Sequence, residues 1–136
     1  MNNKLTFAIG ILIICFGCDI QDRGNLYKTS ATIYLINESS SVVKSVDSSL
    51  GYEIQPGETV IHKETSEGEE SKRPTINSYQ PFSTGPYLFF YIDNSKCETG
   101  LRHIENYVNR KEISDLTFEL TFRFTDLKMN NAESCN

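Results

Sequence analysis

From Thr117 to Thr125 the chain alternates without a break. Phe118, Leu120, Phe122 and Phe124 fall on one side, and Thr117, Glu119, Thr121, Arg123 and Thr125 on the other. A period of two over that length predicts a strand with one face in a core and the other in water. The same period recurs less cleanly upstream. Thr32-Ile33-Tyr34-Leu35-Ile36 is rich in β-formers and runs into the turn cluster Asn37-Glu38-Ser39-Ser40. Val42 to Val46 reads as a weaker strand, and in Leu50 to Ile54 the side chains of Leu50, Tyr52 and Ile54 share a face. Gln55-Pro56-Gly57-Glu58 is a strong turn, because Pro presets φ and Gly accepts a positive φ, and Thr59 to Lys63 follows it as another strand.

The remaining segments are less regular. Glu64 to Pro86 is charged and interrupted by Pro74, Pro81, Gly85 and Pro86. It reads as a solvated loop with a short edge strand at Thr75-Ile76-Asn77. Tyr87 to Asp93 is the most apolar run outside the N-terminus. Lacking strict alternation, it reads as a strand buried on both faces, or one between a sheet and a covering loop. Ile104 to Ile113 fits either a loop with a short strand or a helical turn, and Asp126 to Cys135 a polar tail with one helical turn. About seven short strands with no long helical pattern predict an all-β chain. A β-sandwich with Greek-key connections is favoured, and a small closed barrel is the alternative.

The N-terminus breaks this pattern. Lys4 precedes an apolar stretch from Leu5 to Phe16, which ends at Gly17-Cys18. The stretch is too short to span a bilayer, which takes about 20 residues. Its length and flanks are those of a secretory signal. Gly17-Cys18 is similar to the lipobox of bacterial lipoproteins, in which a small residue admits the peptidase and the thiol receives a diacylglyceryl group. Cys15 and Phe16 depart from the usual aliphatic and small residues there, and ordinary secretion with the same cut after Gly17 is the alternative. The expected organisation is a signal peptide over residues 1–17, a lipidated Cys18 with a flexible tether over 18–30, and a β-sandwich domain over 31–136.

Charge and cysteine usage narrow the partners. The 136-residue chain has a net charge of −5, and loss of Lys4 with the signal makes it more acidic. Such a chain is a poor nucleic-acid binder, since phosphate contacts need clustered positive charge. With Cys15 and Cys18 assigned to export, Cys97 and Cys135 remain as an even pair in an oxidising compartment. A disulfide between them would tie the C-terminal tail to the loop after a core strand; two unbridged thiols are the alternative.

Taken together, the Cys18 signal, the strand Thr32 to Ser39, the turn Gln55 to Thr59, the closing strand Phe118 to Thr125 and the tail Asn131 to Cys135 resemble small lipoproteins of Bacteroidota. The resemblance covers most of the chain through loose, structural motifs. It implies an immunoglobulin-like sandwich and a cell-envelope location, and it carries over no catalytic residue. Asp19 and Asp22 look like the acidic signals that send some such lipoproteins to the cell surface, with periplasmic display the alternative.

Candidate chemistry is sparse. His62 and His103 are the only histidines, and neither stands at metal-ligand spacing. No nucleophile elbow or phosphate-binding loop is present. Asp93, Asn94 and Glu98 offer oxygen ligands for Ca²⁺, although an ordinary strand-end turn explains them equally. Seven tyrosines are the one enrichment, suited to strand packing or to an exposed contact with protein or sugar. The expected function is therefore a non-enzymatic binding or accessory module, anchored by Cys18, probing an unidentified protein or glycan and needing no cofactor or metal. The alternatives are a structural subunit of an envelope complex and a small periplasmic inhibitor acting through the Glu64 to Pro86 loop.

Overall fold

A computed structural model describes residues 26–46, 50–83 and 89–135. The expected signal peptide, Cys18 and the first part of the expected tether lie outside those residues, as do Tyr87 and Leu88. Two sheets pack face to face. The first contains β1 (Leu26–Asn37), β4 (Thr59–Glu69), β7 (Asn109–Ser114) and β8 (Thr117–Phe124), in the order β4-β1-β8-β7. The second contains β2 (Val43–Ser45), β3 (Glu53–Ile54), β5 (Phe89–Tyr91), β6 (Lys96–Glu98) and β9 (Glu133–Ser134), in the order β3-β2-β5-β6-β9. One short helix, α1 (Asp126–Asn131), follows β8.

The chain is thus an all-β sandwich, with nine strands among the described residues rather than about seven. β1 is the hub of the first sheet, antiparallel to β4 and parallel to β8.

Alternation fixes the core. Ala31, Ile33 and Leu35 of β1 face inward beside Phe118, Leu120, Phe122 and Phe124 of β8. Val43, Ile54, Phe89 and Tyr91 of the second sheet close over them. The ring of Phe124 meets Phe89 at 5.4 Å and Tyr91 at 6.1 Å, so aromatic contacts join the two layers. Burying the four inward side chains of β8 contributes about 6–12 kcal/mol before entropy is counted. The Gln55 to Glu58 turn forms as expected, with Gly57 at φ 83° and Glu58 N–H donating to the Gln55 carbonyl at 2.9 Å.

Several expectations shift. The tether was expected to reach residue 30, but β1 begins at Leu26. Residues 26–31 pair with 64–69, so the start of the expected loop is instead the end of β4. Thr75-Ile76-Asn77 forms no strand; Ser78 and Tyr79 N–H groups both donate to the Thr75 carbonyl, which closes a turn. Of the Tyr87 to Asp93 run, Phe89 to Tyr91 forms a strand, and Ile92 to Asn94 turns as a 3-10 helix. Phe89 and Tyr91 are buried while Phe90 is half-buried. Ile104 to Ile113 contains both a 3-10 turn (Ile104–Asn106) and strand β7, whose six residues are all exposed. Cys97 and Cys135 are joined, their Cα atoms 5.1 Å apart, and the bridge fastens the tail beside β6.

Candidate binding cleft

The first sheet is longer than the second. The N-terminal end of β1 and the C-terminal end of β4 therefore run on past the core as a two-stranded overhang, from Leu26↔Glu69 inward. Thr29 and Ser66 join its strands on the inner side through a hydroxyl–hydroxyl hydrogen bond of 2.5 Å. Tyr27 lies directly opposite Gly68. The missing Cβ lets the phenol ring lie across the neighbouring strand: a methyl at Gly68 would meet the Tyr27 hydroxyl at 2.5 Å.

The chain then leaves β4 through a 3-10 turn (Glu70–Lys72). Lys72 pairs with Glu69 at 2.9 Å, and Arg73 pairs with both Glu70 and Asp115. These exposed pairs contribute little stability individually. The stronger anchor is Glu64. One carboxylate oxygen accepts the Tyr79 hydroxyl at 2.6 Å, and the Phe82 N–H points between the two oxygens at 3.1 Å from each. His62 Nε2 lies 3.5 Å from the same carboxylate, and its Nδ1 is 3.2 Å from the Tyr52 hydroxyl. Phe82 stacks on the His62 ring at 4.7 Å. Burial first, then the bond to Glu64, pushes the Tyr79 phenol far above its ordinary pKa. Residues 79–82 are thereby fastened down onto the core.

Between the overhang and this fastened segment lies a cleft of about 630 Å³, whose walls include Tyr27, Ser66, Lys72, Ser78, Gln80 and Ser83. The Tyr27 hydroxyl, the Gln80 amide and the Ser83 hydroxyl take part in no hydrogen bond within the described residues. Gln80 and Ser83 are exposed and Tyr27 is half-buried, so these donors and acceptors are open to a ligand from solvent.

A second cleft of about 460 Å³ sits beside the disulfide, lined by Glu98, Gly100, His103, Asn106 and Lys128 among others. Here Glu98, Asn106 and Lys128 are engaged in bonds within the protein. Buried Glu98 accepts from the Tyr91 hydroxyl at 3.3 Å and the Gly100 N–H at 2.8 Å. Lys128 lies over the Phe122 ring, 3.6 Å from its centre, and donates to the Asn106 carbonyl at 3.5 Å. Burial lowers its pKa, with Glu98 opposing. His103 is exposed, its Nδ1 3.6 Å from Glu105.

The structure therefore separates the residues that sequence reasoning grouped as candidates. His62, itself buried, belongs to the half-buried Glu64 network, and His103 to the rim of the second cleft. Asp93 is exposed, Glu98 is engaged as above, and the Asn94 side chain lies outside the described set. No group of three or more His, Cys, Asp or Glu residues able to hold a metal occurs among the described residues. Tyr79, Tyr91 and Tyr107 are core residues, Tyr34 and Tyr52 are half-buried, and Tyr27 lines the larger cleft together with an edge of Tyr79. Sequence reasoning missed Gln80, Ser83 and Gly68, because isolated polar and glycine residues in a charged stretch carry no periodic signal. No protein-family profile matches the chain, and neither a curated protein nor a solved structure is significantly similar to it.

Proposed function

We propose that this chain is a lipid-anchored module of the cell envelope that binds a ligand without transforming it. In this reading Cys18 holds it to the outer membrane and the cleft beside Tyr27 is the binding site. The observation that carries the reading is the contrast between polar groups. Those at Glu64, His62 and Glu98, the ones suited to acid–base chemistry, are engaged in internal bonds. Those at Tyr27, Gln80 and Ser83 line a cleft open to solvent and make no hydrogen bond among the described residues. Rigid walls with unpaired neutral groups favour recognition over turnover.

The anchor rests on the order Lys4, apolar stretch, Gly17, Cys18. Two or three acyl chains at Cys18 give lasting attachment where a single chain gives only marginal binding. The inhibitor alternative has less support, because the described part of residues 70–83 is pinned to the core through Glu64 and Phe82 and does not project as a free loop.

Detergent phase partitioning tests the anchor. The protein expressed in a bacterial host with lipoprotein processing should enter the detergent phase, and the Cys18→Ser variant should stay in the aqueous phase. Retention of Cys18→Ser with the membrane overturns the lipid anchor.

A further inference from the structure

We propose that the cleft between Tyr27 and residues 72–83 is a site for an uncharged saccharide, an inference that rests on the cleft being the binding site. A sugar ring presents an apolar C–H face and an edge of hydroxyl groups. Its recognition needs a flat, electron-rich platform beside short neutral groups that both donate and accept. Tyr27 is such a platform. Its ring is held across the strand by the absence of a side chain at Gly68. An aromatic face carries negative quadrupolar potential suited to C–H contacts. Gln80 supplies a donor and an acceptor on one amide, and Ser83 and the Tyr27 hydroxyl supply groups that do both.

Other ligand classes fit less well. An apolar ligand would cover those polar groups and offer them no hydrogen bond in exchange for water. An anionic ligand would meet Glu67 in the wall and Glu69 and Glu70 beside it, while Lys72 and Arg73 are already paired with acidic neighbours. A volume of about 630 Å³ suits a short oligosaccharide and lies inside the span of roughly 300–1,000 Å³ typical of small-ligand sites.

Titration calorimetry on the intact, detergent-solubilised lipoprotein tests the proposal. The probes are maltotetraose, cellotetraose, xylotetraose and chitotetraose as neutral saccharides, with a galacturonate oligomer, a chitosan oligomer and an unstructured uncharged peptide as controls. At least one neutral probe should bind. Tyr27→Ala and Gly68→Ala should each weaken it by about tenfold, since loss of a well-placed aromatic contact is worth on the order of 1 kcal/mol. Tyr27→Phe keeps the ring and the packing, and should weaken it less. It serves as the reference if Tyr27→Ala unfolds.

The failures separate. If a charged oligomer or the peptide alone binds, and Tyr27→Ala weakens it, the saccharide class is overturned while the cleft stands. If a neutral probe binds with equal affinity to wild type, Tyr27→Phe and Gly68→Ala, both the proposal and the reading of the cleft are overturned. If none of the neutral probes binds, the saccharide class is overturned.

Discussion

The two sheets hold together by different means. β1 and β4 share an unbroken register from Leu26↔Glu69 to Ile36↔Thr59, and β1 and β8 another from Ser30↔Thr117 to Asn37↔Phe124. Each strand there is long enough for the backbone ladder and the buried face to define it. In the second sheet β5 and β6 share three residue pairs, while β2 with β3 and β6 with β9 share two each. Ladders that short are marginal alone. Side chains complete them: the Cys97–Cys135 bridge across β6 and the tail, Glu98 between Tyr91 and Gly100, and Asn37 reaching over from the end of β1. The difference teaches where specificity resides. One layer is specified by periodicity, the other by individual bonds.

Removing the disulfide should have the largest effect on that contrast. Cys97 and Cys135 are 38 positions apart, and closing a loop of that length stabilises the fold by about 4 kcal/mol on the chain-entropy account. The Cys97→Ser, Cys135→Ser double variant should lose about that much in urea unfolding. Its amide exchange should speed up in β6 and β9 and stay slow in the centres of β1 and β8. Equal acceleration in both sheets would show that the second layer is not separately stapled, and the comparison would break.

How much of this was legible follows the same division. β8 could be read to within one residue, Thr125 capping α1 instead of ending the strand, because Phe118, Leu120, Phe122 and Phe124 each face the core. The sandwich class followed from several such runs. The beginning of β1 was hidden, because its overhang has no second sheet above it and so needs no apolar alternation; Lys28 and Ser30 flank the inward Thr29. The end of β4 was masked by Glu67, Gly68 and Glu69, which read as loop. β9 has two residues, too few for any period, and forms where the bridge brings Cys135 N–H to the Ser95 carbonyl at 2.9 Å. The binding cleft was illegible for a related reason. Gln80 and Ser83 matter through what Glu64 and Tyr79 do to the segment that bears them, and a hydrogen bond between residues 15 apart leaves no local pattern.

Asn37 sharpens the comparison from the other side. It was visible as a turn residue, yet its side chain is a clip between layers. Its amide donates to the carbonyls of Ser41 and Ile54, both at 2.8 Å, and its oxygen accepts from Ser39 N–H and hydroxyl. Asn37→Ala leaves several buried groups unpaired and should cost about 3 kcal/mol, given roughly 1–3 kcal/mol for each such group. Asn37→Asp keeps the acceptor but loses both donated bonds, so it should not recover the loss. Full stability of Asn37→Ala by thermal unfolding would mean that the β2–β3 edge needs no clip.

Two internally bonded carboxylates, half-buried Glu64 and buried Glu98, make the next test. Glu64→Gln and Glu98→Gln should each cost about 2 kcal/mol, the range for a hydrogen bond to a charged group. The consequences should differ in place. Glu64 fastens residues 79–82, so its loss should raise amide exchange at Phe82 and loosen the cleft wall. Glu98 joins β5 to the Gly100 turn, so its loss should loosen the second sheet and leave Phe82 protected. Exchange profiles that coincide would show one cooperative unit in place of two differently built layers.

The smallest effect at neutral pH comes from the buried phenols. Tyr79, Tyr91 and Tyr107 all have pKa values raised above the ordinary 10.0, in each case by burial first. Glu64 adds to the shift at Tyr79, and Glu98 to that at Tyr91. The unfolded chain releases these protons near pH 10 while the folded chain keeps them. Their protonated forms therefore contribute stability that is fully present below about pH 10 and is lost as the pH rises toward the folded values. In an absorbance titration at constant temperature the exposed tyrosines should ionise gradually. These three should ionise only together with loss of the β-sheet circular dichroism. In Glu98→Gln the Tyr91 phenol loses its neighbouring charge, so its contribution to the cooperative step should shift to lower pH while that of Tyr79 stays. If all three titrate gradually with the sheet signal intact, the inner faces of both layers admit hydroxide, and the rigid core that holds the cleft walls in place is not there.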